Sequence, residues 1–569
     1  MILFLLPLTL SLSLACTRGD GLAPAAGHST PVYGGTFTYA DEDDIRTLDP
    51  AVGYDEVSWT AFRLIFDQLL SYDEQDHLGP GLAESWEVSP DGLDWVFHLR
   101  HDVHFHGDGT TRGRELVAQD VVYSWTRLFD PHLGSPGADF YQVIDGATDV
   151  LDGTATSIRG LQALDPWTVT VHLTRPDSTF ANAVAMTFGS VVPREAVEAR
   201  GEQWSFSPVG TGPFSVADWK LGEKTVFVAN RDYWQPGLPY LDRIVHLANY
   251  PRPVQFLKLE AGELDQVNRL TSPDYMWIRS DPRWSQQLSE VPSIDTYGEM
   301  MNVELPPFDD VWFRRGVAAA IDREKLGRLR NGRLRPTVSW LPPGIDGHVE
   351  WDELSAEDRV HYQYQRHDVE LAKQCLDKSR YFQDGHYTGP PITYWSLADE
   401  ASNTTSQSVQ QDLSLVGVPL AIKTTTFPTY LSAVGRPREV QMAYTAWVMD
   451  YPDPRNFLET IFACDSRAQE NSQNTSFYCD PETDELLQAA AVEVDHDRRT
   501  ALYEQAQARI ADAAPVAVEY HSTTISVVRP QVKGFRVDPI WTRDMSRAWL
   551  DVPEGRATPQ GGPATPKRP

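Results

Sequence analysis

The chain is poor in cysteine, poor in basic residues and, beyond its first residues, without long apolar runs. Four cysteines in 569 residues leave stability to packed cores, and this length is enough for two or more domains. Lys and Arg number 49 against 80 Asp and Glu, a formal net charge of -31. That excludes a nucleic-acid partner, because nothing would neutralise phosphates. It also disfavours docking on an anionic membrane surface. An acidic balance can concentrate cationic ligands, and it keeps a protein soluble. No G-x-S-x-G elbow and no H-E-x-x-H helix is present, so the common hydrolase signatures are missing. Paired acids such as Asp43 and Asp44 read as a solvated turn. Neither an internal repeat nor a heptad pattern occurs.

What is present is globular: 41% apolar residues, 11% aromatic, and seventeen tryptophans. Met1 to Ala15 is an apolar stretch too short to span a bilayer, and it reads as a secretory signal. Cys16, which follows it, resembles the lipidated cysteine of a bacterial lipoprotein, although Ser13 stands where the usual Leu would lie, with Leu12 and Leu14 on either side. Ser13-Leu14-Ala15 would equally suit ordinary signal cleavage. Residues 17–31 form a small, polar, Gly/Pro-rich tether, and 553–569 are a similar tail. Export permits a disulfide between Cys464 and Cys479, which bracket a short polar segment. A loop of that length is stabilised by roughly 3 kcal/mol. Cys375 keeps helical spacing with Leu371, Ala372 and Leu376, the pattern of a buried thiol.

Strands and helices mix along the rest of the chain. Strands are expected from Gly34 to Tyr39, Trp95 to Arg100, Lys224 to Ala229, Ile244 to Leu247 and Val418 to Thr424. Gly210 to Phe214 is expected to open a second sheet region. Helices are expected from Asp120 to Leu128, from Val254 to Glu260 with Gly262 as stop, and from Asp309 or Asp310 through Ile321. Two late helices cover Pro481 to Val492 and Arg498 to Ala513. One strand, Val440 to Val448, ends at Asp450 and is followed by Pro452 and Pro454. An Asp there can face a cleft, or it can simply cap the turn.

Several motifs occur in a fixed order. Leu82-Ala83-Glu84-Ser85-Trp86-Glu87-Val88-Ser89-Pro90-Asp91-Gly92 leads into Phe97-His98-Leu99-Arg100 and Val103-His104-Phe105-His106. Asp120-Val121-Val122-Tyr123-Ser124-Trp125, Gly210-Thr211-Gly212-Pro213-Phe214 and Asn230-Arg231-Asp232-Tyr233-Trp234 follow. Ala261-Gly262-Glu263-Leu264-Asp265, Ala319-Ala320-Ile321-Asp322-Arg323 and Leu341-Pro342-Pro343-Gly344 complete the set. With these motifs, residues 33–550 resemble the bacterial extracellular solute-binding proteins of family 5, the peptide/nickel/oligopeptide class.

The resemblance implies a mixed α/β, hinged, two-lobe periplasmic-binding-protein-like fold of the class II type, with an extra subdomain. Lobe I would span 32–298, with a subdomain inserted at about 75–205. Lobe II would span 299–520, and 521–552 would return to lobe I. The crossings are expected near Thr296–Asn302 and Val516–Thr524. The implied role is the binding component of an importer that hands peptides to a membrane permease powered by ATPase subunits. The protein would be an exported, lipid-anchored monomer with no cofactor.

Asp450 matches the family carboxylate that pairs with a peptide's α-amine, and Trp447 matches the aromatic before it. Tyr478, beside Cys479, is a further candidate for the cleft wall. Dipeptide-type relatives place an Arg after the second lobe's central strand, but Thr393 to Glu400 contains none. Longer peptides or another amine-bearing solute are therefore favoured over a fixed dipeptide. Nickel or another metal chelate, and ligand sensing without transport, are the alternatives. The cluster His98, His101, His104 and His106 has imidazole ligands to offer, but strand alternation divides it between faces.

Overall fold

The computed structural model describes residues 30–73, 77–107, 113–540 and 543–551. The signal segment, Cys16, all but the end of the tether and the tail at 553–569 lie outside the described residues. Two sheets share one strand. Val516–Val528, thirteen residues long, runs through both. Its first half pairs with Asp295–Met301 on one side and Leu334–Pro336 on the other. Its second half pairs with Leu288–Pro292 and Gln266–Asn268. The chain from Leu288 to Met301 thus runs antiparallel to this strand along both sheets; the pairing is interrupted between Pro292 and Tyr297, and its register shifts between Tyr297 and Gly298.

The first lobe's sheet continues from Gln266–Asn268 to Thr36–Ala40, Arg243–Leu247, Lys224–Ala229 and Phe214–Lys220. Thr36–Ala40 pairs in parallel with Arg243–Leu247. The strands after Gly210, expected as a second sheet region, therefore belong with the chain's first strand. Pairing places them there: Phe37 and Ile244, opposite each other, are both fully buried in one core. The second lobe's sheet continues from Asp295–Met301 to Met442–Val448, Ile392–Leu397 and Leu420–Thr425. Helices cover its faces, including Val311–Ala320, N-capped by Asp310, and Glu400–Leu415. Gly262 closes the helix Arg252–Ala261 at φ 79°, a conformation that strains a residue with a Cβ.

The subdomain is a separate four-stranded antiparallel sheet, ordered Ala83–Val88, Asp94–Leu99, Thr168–His172, Leu161–Asp165. Trp95, Phe97 and Leu99 alternate inward against Val121 and Trp125 of the helix Ala118–Arg127. That helix starts two residues before Asp120. The Asp120 carboxylate reaches back to the backbone N–H of Val117 at 2.9 Å, and the resulting cap fixes the earlier start.

The expected first crossing at Thr296–Asn302 lies within the second lobe's sheet, because pairing to Val516–Val528 has already resumed at Tyr297. The sheets part at Ser293 and Ile294. There Ser293 N–H donates to Ser522 O at 3.1 Å, and the Ser293 and Thr524 hydroxyls lie 2.7 Å apart.

Beneath this crossing, Glu299 and Glu519 are both fully buried. Glu299 Oε1 accepts from the Tyr394 hydroxyl at 2.9 Å. Burial, and for Glu299 the neighbouring Glu519, hold both carboxyls far above the ordinary range. They are protonated in the fold and ionised in the unfolded chain near neutrality. Their contribution to stability is present at low pH and is lost as pH rises through the raised values. Thermal melting of the wild type is expected to fall in temperature from about pH 5 upward. The slope should be shallower in Glu299→Gln. Identical slopes would show that the pair does not govern it.

Candidate functional site

Asp450 lies two residues beyond the strand Met442–Val448. The turn it occupies is pinned from both ends. Met449 N–H donates to Ile294 O at 3.2 Å, and Asp453, not Asp450, N-caps the following helix Pro454–Phe462. Asn456, buried in that helix's first turn, holds the turn in place. Its Oδ1 accepts from Asp450 N–H at 2.9 Å and from Trp447 Nε1 at 3.0 Å. Its Nδ2 donates to Asp450 Oδ2 at 3.0 Å. The remaining carboxylate oxygen, Oδ1, accepts from the Tyr54 hydroxyl at 2.6 Å.

Tyr54 belongs to the first lobe. It immediately precedes Asp55, which N-caps the helix Glu56–Ile65, and its ring packs on Trp59 and Phe188, each 5.6 Å away. A side chain at Gly53 would meet Phe62 at 2.4 Å, so the glycine lets this turn lie against its helix. Asp450 is 9% exposed. Burial raises its pKa, against the pull of the hydrogen bonds from Tyr54 and Asn456. No cation pairs with it among the described residues.

Asp450 and Tyr54 line a cavity of about 520 Å³ between the lobes, at the point where the sheets part. Ser293, Asp295, Ser522 and Thr524 form its floor. Asp295 accepts from Ser522 N–H at 2.8 Å. Arg252, Arg269, Arg330 and Arg333 also line it. Arg269 pairs with Glu56, and Arg252 with Glu42 at 2.6 Å. Arg333, from the second lobe, donates to Leu270 O at 3.1 Å and Ser272 Oγ at 2.6 Å in the first.

Strand register sets the cavity's span. Val448 pairs with Asp295, and Ser522, which holds Asp295, pairs with Leu334. The strands carrying Asp450 and Arg333 are thus three places apart, or about 14 Å at the usual strand spacing. A second interlobe contact lies outside the cavity. Arg455 Nη1 donates to both Asp177 oxygens at 2.8 Å and to Thr179 Oγ1 at 3.1 Å.

A family model described as "Bacterial extracellular solute-binding proteins, family 5 Middle" matches residues 77–469. The chain belongs to this family. It is 30% identical over 521 residues to a dipeptide-binding protein of Escherichia coli K12, covering 89% of this chain and 92% of the relative. It is 27% identical to the periplasmic oligopeptide-binding protein OppA of the same organism, covering 90% and 92%. Among solved structures, the periplasmic binding protein DppA of Helicobacter pylori, in complex with the peptide STSA, superposes with a TM-score of 0.72 at 25% identity. It covers 92% of this chain and 99% of the other. Clavulanic acid biosynthesis oligopeptide binding protein 2 gives a TM-score of 0.80 at 23% identity, covering 92% and 96%.

In this solute-binding protein two expected site residues take other positions. Trp447 is half-buried on the strand, and its indole supports Asn456. The cavity wall is made by Val448, Met449 and Asp450. Alternation along the strand turns Trp447 away from the face that Val448 presents. Tyr478 is in the second lobe's core, packed on Phe462, with its hydroxyl 3.1 Å from Thr483 Oγ1.

The Cys464–Cys479 disulfide is formed, with Cα atoms 4.7 Å apart, and Cys375 is a buried free thiol. The four histidines have separate surroundings. His98 faces Glu87, His101 packs against Trp167 with its ring tilted, His104 contacts Asp102 O, and His106 contacts Gly212 O at 2.9 Å. Among the described residues no group of three His, Cys, Asp or Glu could hold a metal ion. No described helix is long and apolar enough to cross a membrane.

Tyr54, Arg330 and Arg333 were not anticipated. Tyr54 has no periodic signal. The arginines had one: Arg328, Arg330, Arg333 and Arg335 cluster in an otherwise acidic chain.

Asn456→Ala would leave Asp450 N–H and the Trp447 indole without acceptors. A loss of about 2–4 kcal/mol in unfolding free energy is expected by denaturant titration, and a loss below 1 kcal/mol would mean that water replaces the amide.

Proposed function

We propose that this protein captures short peptides between its lobes and delivers them to a membrane permease driven by ATPase subunits. The observation that carries the reading is Asp450, a buried carboxylate with two neutral donors and no cation, on the wall of an interlobe cavity. A buried acid in that setting is best completed by a cation, since an unpaired charge out of water is costly. A peptide's α-ammonium supplies one, and the peptide's carboxylate then falls toward Arg330 and Arg333. The separation of about 14 Å, less the reach of the side chains, suits an extended peptide of about two to four residues. The named ligand classes of the relatives, dipeptides and oligopeptides, support the same reading. The family's extracellular character and the apolar N-terminal segment support export, with Cys16 as the lipid-bearing residue.

Asp450→Asn is expected to cost about 2–5 kcal/mol of peptide affinity, read by calorimetry with a panel of di- to tetrapeptides. Unchanged affinity would remove the anchor role. The pH dependence has a definite sign. Burial holds the free carboxyl above its ordinary range, and a bound ammonium draws it down. Affinity is therefore full above the raised free-state value and declines as pH falls through it. Binding in that window releases a proton, seen as a buffer-dependent heat, and Asp450→Asn should abolish it.

Labelling cells with a radioactive fatty acid should mark the wild type but not Cys16→Ser. Label on both would place the acyl chain elsewhere.

A further inference from the structure

The charges lining the cavity are unevenly compensated. On the side of Asp450, Arg269 pairs with Glu56, so a cation and an acid offset one another there. Arg330 and Arg333 have no such neighbour. Every acceptor that the Arg333 guanidinium meets is neutral: Leu270 O, Ser272 Oγ and the backbone oxygen of Arg330. The guanidinium of Arg330 has no hydrogen-bond or ion-pair partner among the described residues. Burial, then the nearby charges of Arg330 and Arg252, hold the Arg333 guanidinium below its usual range. Arg252 is already committed to Glu42.

A single terminal carboxylate would leave one of these two guanidinia uncompensated when the cavity is shut from water, and an unpaired buried charge is costly. Two anionic groups would satisfy both, each accepting paired N–H donors from a guanidinium. We infer that the preferred ligands are peptides carrying a second negative charge at the carboxyl end. Their last residue is Asp or Glu, and the α-carboxylate and side-chain carboxylate divide between Arg330 and Arg333. This rests on the peptide reading and adds selectivity for the far end of the ligand.

Calorimetry on the full chain at one ionic strength decides it, using Ala-Glu, Ala-Ala-Glu and Ala-Ala-Ala-Glu, each against its Gln-ended counterpart. Glu and Gln have nearly the same shape, so their ratio isolates charge. In the best-fitting length the Glu peptide is expected to bind at least about tenfold tighter, the usual worth of one charged hydrogen-bonded pair. In Arg330→Gln, whose folding is checked by thermal melting, that ratio should collapse toward one. Should Arg330→Gln fail to fold, Arg330→Met provides the same test, because it also removes the charge while keeping an unbranched side chain. If Glu and Gln peptides bind equally to the wild type, the acidic-end inference is overturned while peptide binding stands. If no peptide of either kind binds, the peptide reading itself fails and the inference with it.

Discussion

The backbone ladder along Val516–Val528 is the constraint on which the rest of the molecule depends. One unbroken strand belongs to both sheets, and its antiparallel neighbour from Leu288 to Met301 does too, apart from the interruption between Pro292 and Tyr297. The lobes cannot separate without breaking those ladders, but they can rotate where the ladder is thinnest. At that point side-chain hydroxyls of Ser293, Thr524 and Ser522 take over part of the pairing. Hinged closure around a ligand needs such a short, weakly paired pivot between rigid bodies. The cavity opens directly over it, so a small rotation changes the distance between Tyr54 on one lobe and Asp450 on the other.

Electrostatics then gives the cavity its direction. A chain with a net charge of -31 brings four arginines to one interior surface, and two of them are spent on local carboxylates. What remains is a buried acid held by neutral donors at one strand and, three strands away, two guanidinia without a carboxylate, of which Arg333 faces neutral acceptors. A ligand with charges in the reverse order meets both. The overall acidity, read alone, indicated solubility; it concealed a basic corner that occupies very little of the sequence.

Local physics made most of the elements legible. The capping candidates Asp309 and Asp310 and the stop at Gly262 located the helices Val311–Ala320 and Arg252–Ala261 to within a few residues, and alternation located the inner face of Asp94–Leu99. Asp450 was legible because two prolines isolate it at a strand end. Trp447 was misread because a matching motif says nothing about which way a side chain turns; the register does, and it sends Trp447 toward Asn456. Tyr478 was misread because proximity to a cysteine says little about a cleft, and the disulfide ties it into the core. The first crossing was misread because Asp295–Met301 is buried along its length, and the actual break falls at two unremarkable residues, Ser293 and Ile294. Tyr54 could not be found by pattern. Its partner is 396 positions away in the chain, and only the fold brings the two together.

Arg455 and Asn456 are consecutive residues on one turn of helix, pointing about 100° apart around its axis. Asn456 grips the acid that faces the cavity, while Arg455 reaches across to Asp177 and Thr179 on the opposite lobe. Asp453, which caps the same turn, is itself anchored by Arg499. What fills the cavity and what clasps the lobes together are therefore in mechanical contact through a single rigid turn. A guest that nudges the acid also nudges the clasp, so the protein's outer shape carries news of its occupant.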